Sequence, residues 1–314
     1  MKKITLYLAV ILTLNCCAQS TTKTNPFIEE VKVAKSDNHQ RIEGTKLFAE
    51  IPSEYKFIEQ LGRYQKNEKQ FIQFVEASTS FKVGKNNISR EALGDGVVFF
   101  EEIRFNSFEG IFAEGENPHT NENDLILLFG DDEFMAMVIG KTETDKPENR
   151  KELIEILKSI FYDKGFSLDE LELANFTFDK SISEFKHAMT ATNMFMFAEN
   201  GKEDAQNPFA NSMLFGNLPK MNKDELKSYT EDMVSRHKAS GIALDNDELK
   251  EIKIGEYTAI VLDTKTKFQG KRGLVYQAVI SDENQSMMFI GSGYGEIEDL
   301  RDKYIKTVET IKMK

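Results

Sequence analysis

GKTETDKPENRKELIEILKSI, Gly140 to Ile160, superimposes without a gap on GSGYGEIEDLRDKYIKTVETI, Gly291 to Ile311, at a constant offset of 151 residues. The match is one of pattern rather than identity. Leu153, Ile154, Leu157 and Ile160 fall opposite Tyr304, Ile305, Val308 and Ile311, the three-and-four spacing of an amphipathic helix laid on a core. Upstream the agreement continues. Asp131 and Asp282 begin polar turns, flanked by Leu125 to Phe129 and Phe134 to Ile139 in one copy, and by Tyr276 to Ile280 and Met287 to Ile290 in the other. Each copy therefore reads as strand, tight turn, strand, glycine, helix. With a two-residue gap, SFEGIFAEGE (Ser107 to Glu116) also aligns with EYTAIVLDTK (Glu256 to Lys265) and supplies a third strand.

The front halves agree less well. The second copy carries NKDELKSYTEDMVSRHKASG, in which Asn222 and Glu225 form a capping box and Leu226, Tyr229, Met233 and His237 share one helical face. At that point the first copy has only NISREALGDG, room for two helical turns before Gly94. The expected fold class is α+β, two related units each built as an antiparallel sheet flanked by helices. The units span residues 46–163 and 174–314, with the short acidic connector 164–173 between them and a flexible tether over 18–45.

Further upstream, GTKLFAEIPSEYKF (Gly44 to Phe57) leads through a charged hairpin into KQFIQFVEA. Together with the terminal strand pair and closing helix of both copies, this resembles the PsbP-type fold. That fold is found in the photosystem II extrinsic protein, a eukaryotic Ran-binding factor and many bacterial lipoproteins of unassigned role. The resemblance implies a role in binding or assembling other macromolecules, and it carries over no catalytic residues.

The N-terminus MKKITLYLAVILTLNCCAQS sets the compartment. Lys2 and Lys3 precede an apolar run from Ile4 to Leu14, too short for a bilayer that needs about 20 residues, so residues 1–17 read as a signal peptide. Two cuts fit. Signal peptidase I would cut after Ala18, whereas the lipoprotein route makes Cys17 the lipidated residue, with Leu14 at its −3 position. The Ser/Thr-rich AQSTTKTNP that follows suits a tether between lipid and folded body. The chain is thus expected to be exported and periplasmic, held at a membrane through the lipid alone. After the lipoprotein cut neither of its two cysteines remains for a disulfide.

A formal charge of −12, more negative once Lys2 and Lys3 leave, repels phosphate backbones and excludes nucleic acid as the partner class. Glu296, Glu298 and Asp299 open the helix after Gly291, Gly293 and Gly295, so this glycine cluster reads as a structural turn and not a phosphate cradle. Ser292 lacks the spacing of a nucleophile elbow. His39, His119, His187 and His237 are scattered without ligand spacing. Asp245 to Glu248 (DNDE) has Leu249 where a fifth-position calcium ligand belongs and reads as a solvated turn. The acidic stretch Glu114 to Asp124 either gathers a cation loosely or forms a polar hairpin loop with Pro118 at its turn. No metal, cofactor or catalytic residue is assigned. With no tryptophan and phenylalanines placed as a sheet core, sugar recognition is disfavoured.

Two functions remain. The first is a non-enzymatic lipoprotein that binds or helps assemble an envelope or periplasmic protein. The alternative is a small-molecule-binding protein or hydrolase with a pocket between the two units. For the first, Phe209 is the candidate anchor, an aromatic after Asn207 and Pro208 on the polar tip between the apolar runs Met194 to Phe197 and Met213 to Phe215.

Overall fold

The computed structural model describes residues 25–314 except 28–29, 59–60, 94–95, 118, 183, 192, 200 and 202–210. Its contacts divide the chain into two compact units, one formed chiefly by residues up to Asp169 and one chiefly from Glu170 onward. The fold class is α+β, with antiparallel sheets.

The first unit contains β1 (Gln40–Arg41), β2 (Leu47–Ala49), β3 (Lys56–Ile58), β4 (Arg63–Asn67), β5 (Gln70–Ala77), α1 (Phe81–Asn87), α2 (Arg90–Leu93), β6 (Val97–Phe105), β7 (Phe108–Asn117), β8 (Glu122–Gly130), β9 (Met135–Glu143), α3 (Pro147–Lys158) and β10 (Phe161–Tyr162). Its sheet runs β3-β4-β5-β9-β8-β7-β6, and a small sheet β1-β2-β10 stands apart. Leu125, Leu127 and Phe129 of β8 alternate onto the face that Leu153, Ile154 and Leu157 of α3 cover, and all six are buried in one core.

The second unit contains β11 (Phe176–Thr177), β12 (Lys186–Ala191), β13 (Met194–Ala198), β14 (Ser212–Leu218), α4 (Lys223–Ala239), β15 (Ala243–Leu244), β16 (Leu249–Ile254), β17 (Tyr257–Phe268), β18 (Lys271–Ser281), β19 (Ser286–Tyr294), α5 (Ile297–Glu309) and β20 (Lys312–Met313). Its sheet runs β12-β13-β14-β19-β18-β17, with β16 and β15 both pairing β17, and its small sheet is β11-β20. Phe195, Phe215, Phe289, Tyr304 and Val308 lie at the centre of its core.

The quoted stretches occupy matching places. Gly130 pairs with Met135 and Ser281 with Ser286, both at the offset of 151. In the strand before, Glu109 pairs with Gly130 and Thr258 with Ser281, which shifts the offset to 149. The two extra residues lie in the β17–β18 hairpin. It closes at Phe268 and Lys271 around Gln269–Gly270, whereas β7–β8 closes at Asn117 and Glu122. Both central residues of the tighter turn have positive φ, 47° and 84°, as a twisted two-residue hairpin demands.

The expected capping box opens α4: Asn222 Oδ1 accepts from the N–H groups of Asp224 and Glu225, and Glu225 Oε2 accepts from that of Asn222. The first unit has the short α2 in the stretch read as two turns. It also has α1, which the sequence reading left out because FKVGKNN lacks an apolar period and places Gly84 mid-helix. There the glycine makes room for the Met135 side chain: a Cβ would stand 1.9 Å from its Sδ.

Candidate functional site

The two residues singled out from the sequence, Cys17 and Phe209, lie outside the described residues. The remaining chemistry-bearing groups are placed as follows.

Arg150, in the first turns of α3, reaches down to β7 and grips Glu114 in a fork, Nε to Oε1 and Nη2 to Oε2, both at 2.7 Å. The Glu114 carboxylate is fully buried, and Asn123 Nδ2 donates to it at 3.1 Å. Arg301 of α5 repeats the arrangement on β17, its Nε donating to Asp263 Oδ1 at 2.9 Å while Nη1 engages Glu298. The sequence carried a signal for both pairs, because Glu114 aligns with Asp263 and Arg150 with Arg301. The acidic stretch Glu114 to Asp124 is the β7–β8 hairpin, and Asp124 and Glu122 both lie within ion-pair distance of Lys141. Burial raises the Asp124 carboxyl above its ordinary value.

A second carboxylate, the half-buried Glu76, accepts from the N–H of Lys46 at 2.7 Å and from Tyr162 Oη at 2.9 Å. Its pKa is raised by burial against the opposing pull of those bonds. The corresponding place in the second unit holds a neutral amide: Asn217 Oδ1 accepts from the N–H of Asn175 at 3.0 Å.

The histidines serve separate local contacts. His39 Nε2 bonds to the carbonyl of Ser159 at 2.7 Å, His237 Nε2 to Gln277 Oε1 at 2.9 Å, and the His187 ring meets Phe197 edge-on. Burial lowers the pKa of both His187 and His237. Among the described residues no group of three His, Cys, Asp or Glu side chains is placed to hold a metal ion. Asp247 of the DNDE turn is exposed and paired with Lys238 at 2.6 Å. In the glycine cluster, Gly291 passes beneath the Tyr304 ring, where a Cβ would come within 2.4 Å, and Gly295 turns the chain at φ 109°.

The second unit also bears an open groove of about 670 Å³. Its walls are Thr177–Asp179 at the end of β11, the β16–β17 turn Gly255–Glu256 with Tyr257, and the end of α5 with Thr310 to Lys312. The N–H of Asp179 donates to Thr310 Oγ1 at 3.1 Å and fixes one wall to the other. Asp179, Glu256 and Glu309 are exposed at its rim, with Lys312 the one cation lining it among the described residues. Sequence reasoning missed this groove because its walls come from three distant segments, none with a motif. No described helix is long and apolar enough to cross a membrane.

No protein-family model and no curated protein matches the chain. Solved structures are similar to it at low scores, among them these three. Apo immunity protein TplEi of the T6SS from Pseudomonas aeruginosa is 10% identical over 86% of this chain and 95% of its own, with a TM-score of 0.31. Cyanobacterial PsbP (CyanoP) from Synechocystis sp. PCC 6803 is 8% identical over 48% of this chain and 100% of its own, at 0.29. The Tle4-Tli4 complex is matched at 9% identity, over 89% of this chain and 99% of that one, also at 0.29.

Proposed function

We propose that the chain is an exported lipoprotein anchored through Cys17. Its two related PsbP-like units, joined by the connector 164–173, bind or help assemble a protein partner of the envelope without catalysing a reaction. The observation that carries this reading is the use made of the polar groups. Glu114, Asp263, Glu76, Arg150 and Arg301 tie helix to sheet or strand to strand, while the open groove presents main-chain groups and a carboxylate rim to whatever approaches. A surface of that kind recognises another chain by backbone pairing and charge.

The test is crosslinking in the intact envelope followed by affinity capture of the tagged full chain, with an unrelated lipoprotein as control. One envelope protein enriched in near-stoichiometric amount is the expected result. An enrichment profile indistinguishable from the control overturns the reading.

A further inference from the structure

The groove on the second unit has a counterpart on the first, and there a segment of the chain lies across it. Glu50 and Ser159 stand where Asp179 and Thr310 do, and they make the same bond, Glu50 N–H to Ser159 Oγ at 2.9 Å. Asn106–Ser107 holds the place of Gly255–Glu256, closing β6–β7 with the pairing by which β16–β17 is closed. Across this counterpart runs the segment VKVAKSDNHQR, Val31 to Arg41, within the stretch read from sequence as a tether.

The segment is held mainly by main-chain groups. Val31 bridges in parallel to Phe105, its N–H donating to the Arg104 carbonyl and its carbonyl accepting from the Asn106 N–H. Val33 N–H donates to Asn106 Oδ1 at 2.6 Å. Ser36 Oγ donates to Glu50, and His39 bonds to the Ser159 carbonyl. Lys35 lies over the Phe48 ring at 3.5 Å, and β1 at the end of the segment adds a strand beside β2, with Gln40 opposite Ala49.

In the second unit the groups that would perform those tasks have no hydrogen-bond partner among the described residues. They are the Gly255 N–H, both main-chain groups of Phe178 and the Thr310 carbonyl, while the register of the hairpin closed at Ile254 and Tyr257 turns the Lys253 carbonyl away from β17. Among the described residues β11 pairs only with β20, and none of them supplies the strand that β1 supplies in the first unit. A Cβ on Gly255 would meet nothing within 4 Å. The charges differ as well: Glu309 replaces Lys158 and Glu256 replaces Ser107, which turns a balanced rim acidic.

We infer that the groove of the second unit receives an extended segment of a partner protein, with aliphatic residues alternating with basic ones, laid parallel to the end of β16 and beside β11. Unsatisfied strand edges recruit strands, and the acidic rim selects a cationic one. This inference rests on the partner-binding reading and names its site.

The probe is a fluorescein-labelled peptide of the chain's own sequence Val31 to Arg41, titrated into the mature full-length protein. Expected is saturable one-to-one binding that weakens with salt and falls about tenfold in the double charge reversal Glu256→Arg/Glu309→Arg, since each exposed charge contributes up to about 1 kcal/mol. The same reversal at Glu68, exposed on the first unit, should leave it unchanged. A photoreactive group at the Val31 position should label Gly255 to Tyr257. Absence of saturable binding, indifference to the double reversal with its fold intact by circular dichroism, or labelling at Asn106 through exchange into the first unit each overturns the inference. If the peptide binds but the envelope holds no partner, the groove stands and the partner reading falls. If a partner is captured equally by the double variant, the reverse holds.

Discussion

Arg150 donates through Nε and Nη2 to both carboxylate oxygens of Glu114, pinning the start of the closing helix to β7. In the second unit Arg301 meets Asp263 through Nε alone and with more water about the pair: Asp263 keeps 29% of its side-chain surface against none for Glu114. Arg150→Ala takes away the cation facing a buried carboxylate and should cost about 3 kcal/mol. Arg301→Ala should cost about 1 kcal/mol, because solvent screens what is left. Denaturant unfolding of the two variants measures the difference, and equal losses would show that burial does not set the strength of these pairs.

A second asymmetry lies between the glycines under the closing helices. Gly140 leaves 3.4 Å between a built Cβ and Leu153, an ordinary contact, whereas at Gly291 the Tyr304 ring is within 2.4 Å. Gly291→Ala should therefore cost about 2 kcal/mol and Gly140→Ala under about 0.5 kcal/mol. Combined with Tyr304→Leu, the Gly291→Ala penalty should shrink. Additive losses in that double-mutant cycle would mean that the ring does not press on the glycine.

These cases also mark how far the sequence could be read. Leu153, Leu157, Tyr304 and Val308 repeat at helical spacing, and the strands before them alternate or run apolar, so the offset of 151 located β8, β9 and α3 beside β18, β19 and α5. The gap placed between β7 and β17 corresponds to a longer hairpin around Gln269–Gly270. The strands β1, β2, β10, β11 and β20, two or three residues each, are too short to show a period. Residues 31–41 have the composition of a tether, and it is their bonds to Arg104, Asn106, Glu50 and Ser159 that reveal that they lie against the first unit. A groove made from the ends of three distant segments leaves no local pattern at all.

Stability should depend on pH through His237. Burial against β18 holds its imidazole below the ordinary value near 6.5, so the unfolded chain takes up the proton first. The contribution is present above about pH 6.5 and is lost as pH falls through the lower folded value. His187, lowered by burial in the same way, adds a similar slope, so the variant is compared with the parent. His237→Gln should flatten part of the decline below about pH 6.5. Identical pH profiles for parent and variant would exclude His237 as a source of it.

The proposed anchor makes a separate prediction. Cys17→Ala should move the protein from the membrane fraction to the soluble periplasm and remove the lipid mass from its N-terminal peptide. Unchanged fractionation without a lipid mass in the parent would reject lipidation.

The most direct measurement places a photo-crosslinking amino acid at Glu256, on the rim of the open groove, and in a parallel strain at Glu68 on the first unit, both in the native envelope. The account predicts one discrete adduct from Glu256, with a single envelope protein identified in it by mass spectrometry, and only diffuse background from Glu68. No adduct from Glu256, or the same products from both positions, would contradict a partner held at this groove.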